Sequence, residues 1–238
     1  MVEIPYYLKA KLALVGINSI LQLHRANYLK VYKWLKDIYP SLNHNALFDL
    51  YCLSNNLAIN NLSPNSKQQI LFQFKNTLPT YIPLDCEVIS CGLSKAQEQA
   101  DIAARSDEVP IGAVVYHNDE IISVGYNQTI TKCNIMGHAE IIAISNAQSV
   151  LGNYRLTDCD LYVTVEPCLM CSGAIISSRI RRVIFGAIEP KTGAVISQFR
   201  VFDNSKVNHT TEAIGPINNE LYSAKIQQFF QQKRADLD

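Results

Sequence analysis

The sequence predicts a small all-helical segment followed by a larger α/β domain with a partly parallel sheet. Three observations carry this. Apolar residues in the front third recur at mostly helical intervals, two prolines within five residues of LPTYIPLD punctuate the chain at residues 78–85, and β-rich runs alternate with helical ones behind them. With 238 residues, 48% of them apolar and 18% charged, the chain can bury a core in a domain of about 150 residues and in a smaller one as well.

From Tyr6 to about Ile38, Leu8, Leu12, Val15, Leu21, Leu23, Val31, Trp34 and Leu35 follow helical spacing, with Gly16 and Asn18 as a break. A second helix is predicted from Ala46 to Ile59. A third starts where Ser63 can cap it and Pro64 suits its first position, with Ile70, Leu71 and Phe74 as its apolar face. Residues 1–85 are therefore expected to form a helical domain with its linker at 78–85, and residues 86–238 a second domain. There, a helix is expected from about Ile89 to Arg105. VPIGAVVYHNDEIISVGYN reads as a hairpin around His117-Asn118-Asp119-Glu120. A helix beginning near His138, the strand LYVTVE, a helix from about Cys168 to Ser178, the strand RRVIFGA and a last helix from Glu220 to Arg234 complete the alternation.

Charge is balanced in total but not along the chain. Residues 1–85 hold eight Lys/Arg against four Asp/Glu, and residues 86–238 hold thirteen against seventeen. In the basic front part Lys30, Lys33 and Lys36 recur at helical spacing near Tyr28 and Tyr32, which fits either a solvated helix face or a stripe that contacts phosphates. Seven cysteines, irregularly spaced apart from one CxxC, argue against a secreted disulfide framework and for a reducing, cytoplasmic setting. No run of about 18 apolar residues is present to span a bilayer. The opening MVEIPYYLKAKLALVGINSILQLH has a short apolar core, but Glu3 precedes it and no clear cleavage site follows, so no signal peptide is expected.

Chemistry concentrates in two short stretches. MGHAEIIA, residues 136–143, sets His138 two residues before Glu140 where an apolar helix begins. VEPCLMCSGA, residues 165–174, places Pro167 at a strand-to-helix handover and puts Cys168 and Cys171 on one side of the first helical turn. A helix N-terminus lowers thiol pKa and so favours the thiolate that metals need. One imidazole and two thiolates suit zinc, and three protein ligands leave a fourth place for a water that can lose its proton near pH 7. Glu140 would then stand beside that water and carry its proton to a leaving group. Two other readings use the same residues. A redox CxxC would want the thioredoxin context, which is missing here. A purely structural zinc would want a fourth ligand, for which Cys133, Cys159 and His209 are candidates.

The combination H-x-E with P-C-x-x-C is the pattern of zinc nucleobase deaminases. From about residue 86 onward the chain resembles the bacterial tRNA adenosine deaminases, through EVPIGAVV, NYRLTDCDLYVTVEPCLMCSGA, SRIRRVIFGA and KTGA to FFQQKR. That resemblance implies a cytidine-deaminase-like three-layer α/β/α fold with a mixed, roughly five-stranded sheet. It implies one zinc per chain on His138, Cys168 and Cys171, with Glu140 as the proton carrier. It sets Asn127, Glu166 and Pro167 against the substrate base. The implied reaction is hydrolytic deamination of the wobble adenosine in a tRNA anticodon loop to inosine, by a cytoplasmic homodimer formed through the deaminase domain. A deaminase of a free base or nucleoside, of guanine or cytosine type, shares the motif. A non-catalytic RNA-binding or assembly subunit with structural zinc would have no need of Glu140. The chain departs from its relatives at Ile135-Met136-Gly137, where they usually carry a proline three residues before the motif histidine. It departs again in residues 195–207, and in having a helical front third.

Overall fold

Side-chain caps decide where the front helices begin. In this computed structural model, which describes residues 3–59, 61–77, 80–81, 83–203 and 207–235, the chain divides into two units, Met1–Pro83 and Leu84–Asp238. The first contains α1 (Tyr6–Leu14), α2 (Ile20–Arg25), α3 (Tyr28–Ile38), α4 (His44–Ser54) and α5 (Pro64–Asn76). Ser19, Asn27, Asn43 and Ser63 each accept a backbone N–H in the first turn of the helix that follows. The sequence predicts one break between Tyr6 and Ile38, but there are two, because Asn27 restarts the chain as well as Ser19. Leu8, Leu12, Leu23, Tyr32, Leu35, Leu47 and Leu50 are fully buried in the core of this unit. Residues 78, 79 and 82 of the expected linker lie outside the described residues.

Two of the three α3 lysines donate to backbone carbonyls of their own unit. Lys33 donates to the Thr77 carbonyl and lies over the Phe74 ring, 5.5 Å from its centroid, and burial pushes its pKa down to about 8. Lys36 donates to the Pro40 carbonyl. Tyr32 is buried and donates to the Leu42 carbonyl at 3.4 Å, which leaves Lys30 as the exposed cation of the three.

The second unit alternates as its sequence predicts: α6 (Cys86–Arg105), β1 (Gly112–His117), β2 (Glu120–Tyr126), α7 (Ala139–Leu151), β3 (Cys159–Val165), α8 (Leu169–Ser177), β4 (Arg182–Ala187), β5 (Glu212–Ile214) and α9 (Asn219–Ala235). Asn118 and Asp119, at φ 50° and 64°, make the two-residue hairpin turn, whose left-handed conformation matches the twist of the strands. The sheet order is β2-β1-β3-β4-β5, with β1 antiparallel to both neighbours and β3, β4 and β5 parallel. The fifth strand is only three residues long and pairs with β4 alone, too short to leave a period in the sequence.

Alternation along β3 splits the core in two. Leu161 and Val163 pack with Ala139, Ala143 and Ile175 of α7 and α8, whereas Tyr162 packs on the other face with Leu93 and Ala96 of α6 and Tyr222 of α9. The result is the three-layer α/β/α arrangement with a mixed five-stranded sheet. Since β2 and β3 both run opposite to β1, the ends of β2, β3 and β4 point to one edge, and the chain enters α7 and α8 there. Gly125 lets α7 press onto β2, because a Cβ at that position would collide with the Ala139 carbonyl.

Candidate active site

His138 and Cys168 occupy equivalent places, each the last extended residue before a helix. His138 has φ −76° and ψ 147° ahead of α7, and Cys168 has φ −71° and ψ 174° ahead of α8. Neither side chain caps its helix. At α7 Asn127 takes that role, accepting the Ala139 N–H on Oδ1 at 3.0 Å, so the imidazole is free to turn elsewhere. It turns toward the thiols: His138 Nδ1 lies 3.7 Å from Cys168 Sγ and 3.5 Å from Cys171 Sγ.

The ligand atoms of His138, Cys168 and Cys171 all lie within 4.8 Å of one another. One imidazole nitrogen and two thiols converging from two helix starts form a donor set that fits zinc. The three alternatives for a fourth ligand fall outside the group. Cys159 begins β3, His209 Nε2 is bonded to the Ile180 carbonyl at 3.0 Å, and exposed Cys133 contacts the Ile130 carbonyl.

The thiols share their protons unequally. Hydrogen bonding from Cys171 lowers the Cys168 pKa to about 4 against its burial, with help from His138. The same bond raises Cys171, which burial and Glu140 push further up. His138 is raised, first by its bond to Cys168. Metal ligation requires both cysteines as thiolates and His138 as a neutral imidazole with its ligating nitrogen free, whereas without metal Cys171 and His138 are both shifted toward their protonated forms. Zinc uptake by metal-free protein should therefore release protons and tighten as pH rises. Competition against a chelator at pH 6 and pH 8 would check this; equal affinities would contradict it.

Glu140 sits in the first turn of α7 and is buried. Burial raises its pKa, partly offset by its own backbone N–H and by His138, and it hydrogen-bonds Cys171. A buried carboxyl beside the ligand cluster, but outside it, is placed for proton transfer.

The Glu166 carboxylate is taken up by the loop after β4. Oε1 accepts N–H groups from Val195 at 3.0 Å, Ile196 at 2.7 Å and Ser197 at 2.9 Å; Oε2 accepts from Glu189 N at 3.0 Å and from the Ser197 hydroxyl. Burial would raise its pKa, but these donors outweigh it and hold the group below the usual carboxylate range. Pro167 joins the same clamp, its carbonyl accepting Ala194 N–H at 2.9 Å. Gly193 must be glycine here, since a Cβ would run into the Glu166 carboxylate. Gly193→Ala should displace the 189–197 loop and cost about 1–3 kcal/mol in urea unfolding, as overpacking does; an unchanged midpoint would show that the clamp gives way freely.

Glu108 is the functional residue that sequence reasoning missed. It is fully buried and accepts N–H groups from Ile130 at 2.8 Å and Thr131 at 2.7 Å, plus the hydroxyls of Thr131 and Thr129 at 2.9 and 3.1 Å. It thus fixes the loop from Asn127 to His138 as Glu166 fixes the loop after β4. Burial alone would raise its pKa, but the loop donors lower it on balance. Because both folded-state values are depressed, both clamps contribute stability that is present above about pH 4.3 and lost as pH falls through the folded values. Nothing in EVPIGAVV signals this role, because the partners lie more than 20 residues away.

The MafB19-like deaminase family model matches residues 91–234, which include the three residues of the cluster and Glu140. A Haemophilus influenzae protein named tRNA-specific adenosine deaminase is 46% identical over 142 residues, 59% of this chain and 82% of its own length. A Rickettsia bellii protein of the same name is 42% identical over 144 residues, 60% of this chain and 99% of its own. A solved structure from work on A-to-I editing by tRNA:A34 deaminases at the wobble position is 37% identical, with a TM-score of 0.53, and aligns over 59% of this chain and 99% of that one.

Proposed function

Because the chain belongs to the MafB19-like deaminases and is 42–46% identical to proteins named tRNA-specific adenosine deaminase, we propose that it converts adenosine to inosine at the wobble position of tRNA anticodons. The observation that carries this reading is the convergence of His138, Cys168 and Cys171 within 4.8 Å, beside the buried Glu140.

His138, Cys168 and Cys171 would hold one zinc ion per chain. Bound there, zinc supplies an acidified water. The reaction breaks the bond between C6 and the amino nitrogen, places water oxygen on C6 and releases ammonia. Two protons must move, one away from water and one onto the departing nitrogen. Glu140 is the group placed to move both, and burial raises its pKa, which favours its taking up a proton from the water. Asn127 spends its Oδ1 on α7, and its amide N–H groups make no bond within the described residues, so they are available to an acceptor on the base. Glu166 and Pro167 serve the substrate indirectly, by holding the loop beside Cys168. An unpaired loop base costs only a few kcal/mol to extrude, which suits a site that takes a single base.

The chain works as a cytoplasmic homodimer. Ile130, Ile135 and Met136 before α7 and Leu169 in the first turn of α8 are large exposed apolar side chains that a second copy would cover. The seven cysteines are free, as a reducing compartment keeps them, and no helix among the described residues is long and apolar enough to cross a membrane. Incubation with total tRNA, adenosine, guanine and cytidine, followed by measurement of inosine, xanthine, uridine and ammonia, tests the substrate. Inosine in tRNA is the expected product, and xanthine or uridine from the free compounds with unedited tRNA would overturn the reading.

A further inference from the structure

The deaminase unit is acidic on balance, and the α3 lysines of the front unit are largely committed to backbone carbonyls. A polyanion therefore needs a local cationic foothold. One pocket of about 480 Å³ provides it, lined among others by Tyr154, Arg155, Ser177, Arg179, Asn208 and His209 and, among the described residues, by no carboxylate. Arg155 comes from the turn between α7 and β3, Arg179 follows α8 in a left-handed conformation at φ 60°, and His209 precedes β5. The pocket thus lies at the end of the sheet opposite the zinc ligands, one length of α8 away, on the order of 13 Å.

Neither Arg155 nor Arg179 has an acidic partner among the described residues, unlike Arg181 and Arg182, which are paired with Asp160 and Glu212. The Arg155 guanidinium lies over the Tyr154 ring, 5.1 Å from its centroid, which orients its donors without neutralising them. Ser177 and Asn208 add neutral donors, and His209 is pinned through Nε2. Two planar forks with hydroxyl and amide donors in an acid-free pocket match a phosphate group. We propose that this pocket binds a backbone phosphate of the RNA whose base enters the catalytic site, and so sets the register of the RNA on the enzyme. The proposal rests on the RNA substrate argued above.

The variants R155Q and R179N test it, singly and combined. Arg155 is exposed, and asparagine tolerates the left-handed conformation of residue 179, so both should fold. Affinity for tRNA should be measured against salt on the full-length protein, with thermal unfolding and zinc content as controls. Each lost phosphate contact should flatten the log–log salt slope by roughly 0.7 to 0.9, and the double Arg→Lys variant should keep most of the slope. The rate at saturating tRNA should stay within about twofold, because phosphate contacts position the RNA and take no part in the chemistry. An unchanged slope and affinity in the double variant would overturn the proposal. So would calorimetric binding of inorganic phosphate that the variant loses while its tRNA binding stays intact, since the pocket would then serve a free anion. Inosine formation by the unaltered chain is read separately, so failure of the proposed reaction and failure of the phosphate pocket are distinguishable.

Discussion

Glu140→Ala should bind about one zinc per chain, fold normally and lose at least ~10² in kcat on tRNA, the low end for a general acid/base. The expectation follows from where the carboxyl stands. It hydrogen-bonds Cys171 yet is no member of the ligand cluster, so its removal leaves the three ligands in place. Its burial keeps bulk solvent from substituting as proton carrier. Glu140→Gln separates shape from chemistry: it fills the same space and cannot exchange a proton, so it should fail about as badly as alanine. Metal analysis and single-turnover assays on one preparation would decide the matter, and full activity in either variant would remove Glu140 from the mechanism.

The ligand cluster was readable because each half is local. His138 and Glu140 are two residues apart, Cys168 and Cys171 three, and both pairs sit at helix starts that Pro167 and the apolar run after His138 announce. The α/β alternation was legible for the same reason, since a buried helix or strand face imposes its period on neighbouring residues. What stayed hidden depends on distant partners. Glu166 sits inside the motif and looks like a substrate contact, but its acceptors are filled by amides 23 to 31 residues further on. Glu108 gives no sign of its clamp, and Lys33 reads as a surface lysine until the Thr77 carbonyl and the Phe74 ring meet it. A three-residue edge strand such as β5 carries no period at all.

Cys171→Ala should lose zinc as well as activity, and added zinc should not restore either. Cys171 is fully buried in the first turn of α8, so its truncation opens a cavity that no neighbouring ligand fills. Among the described residues no other His, Cys, Asp or Glu joins the cluster, which leaves two ligands, and two rarely hold the ion. The change also removes the hydrogen bond that does most to lower the Cys168 pKa, so the remaining thiol becomes a poorer ligand at neutral pH. His138→Ala and Cys168→Ala should behave alike, with activity down by at least ~10². Chelation of the unaltered protein should give the same inactive state but recover fully when zinc returns, which separates loss of a ligand from loss of the fold. The decisive comparison is with Glu140→Ala, which should be inactive and zinc-replete where Cys171→Ala is inactive and zinc-depleted. A zinc-replete, active Cys171→Ala would place the metal somewhere other than between α7 and α8.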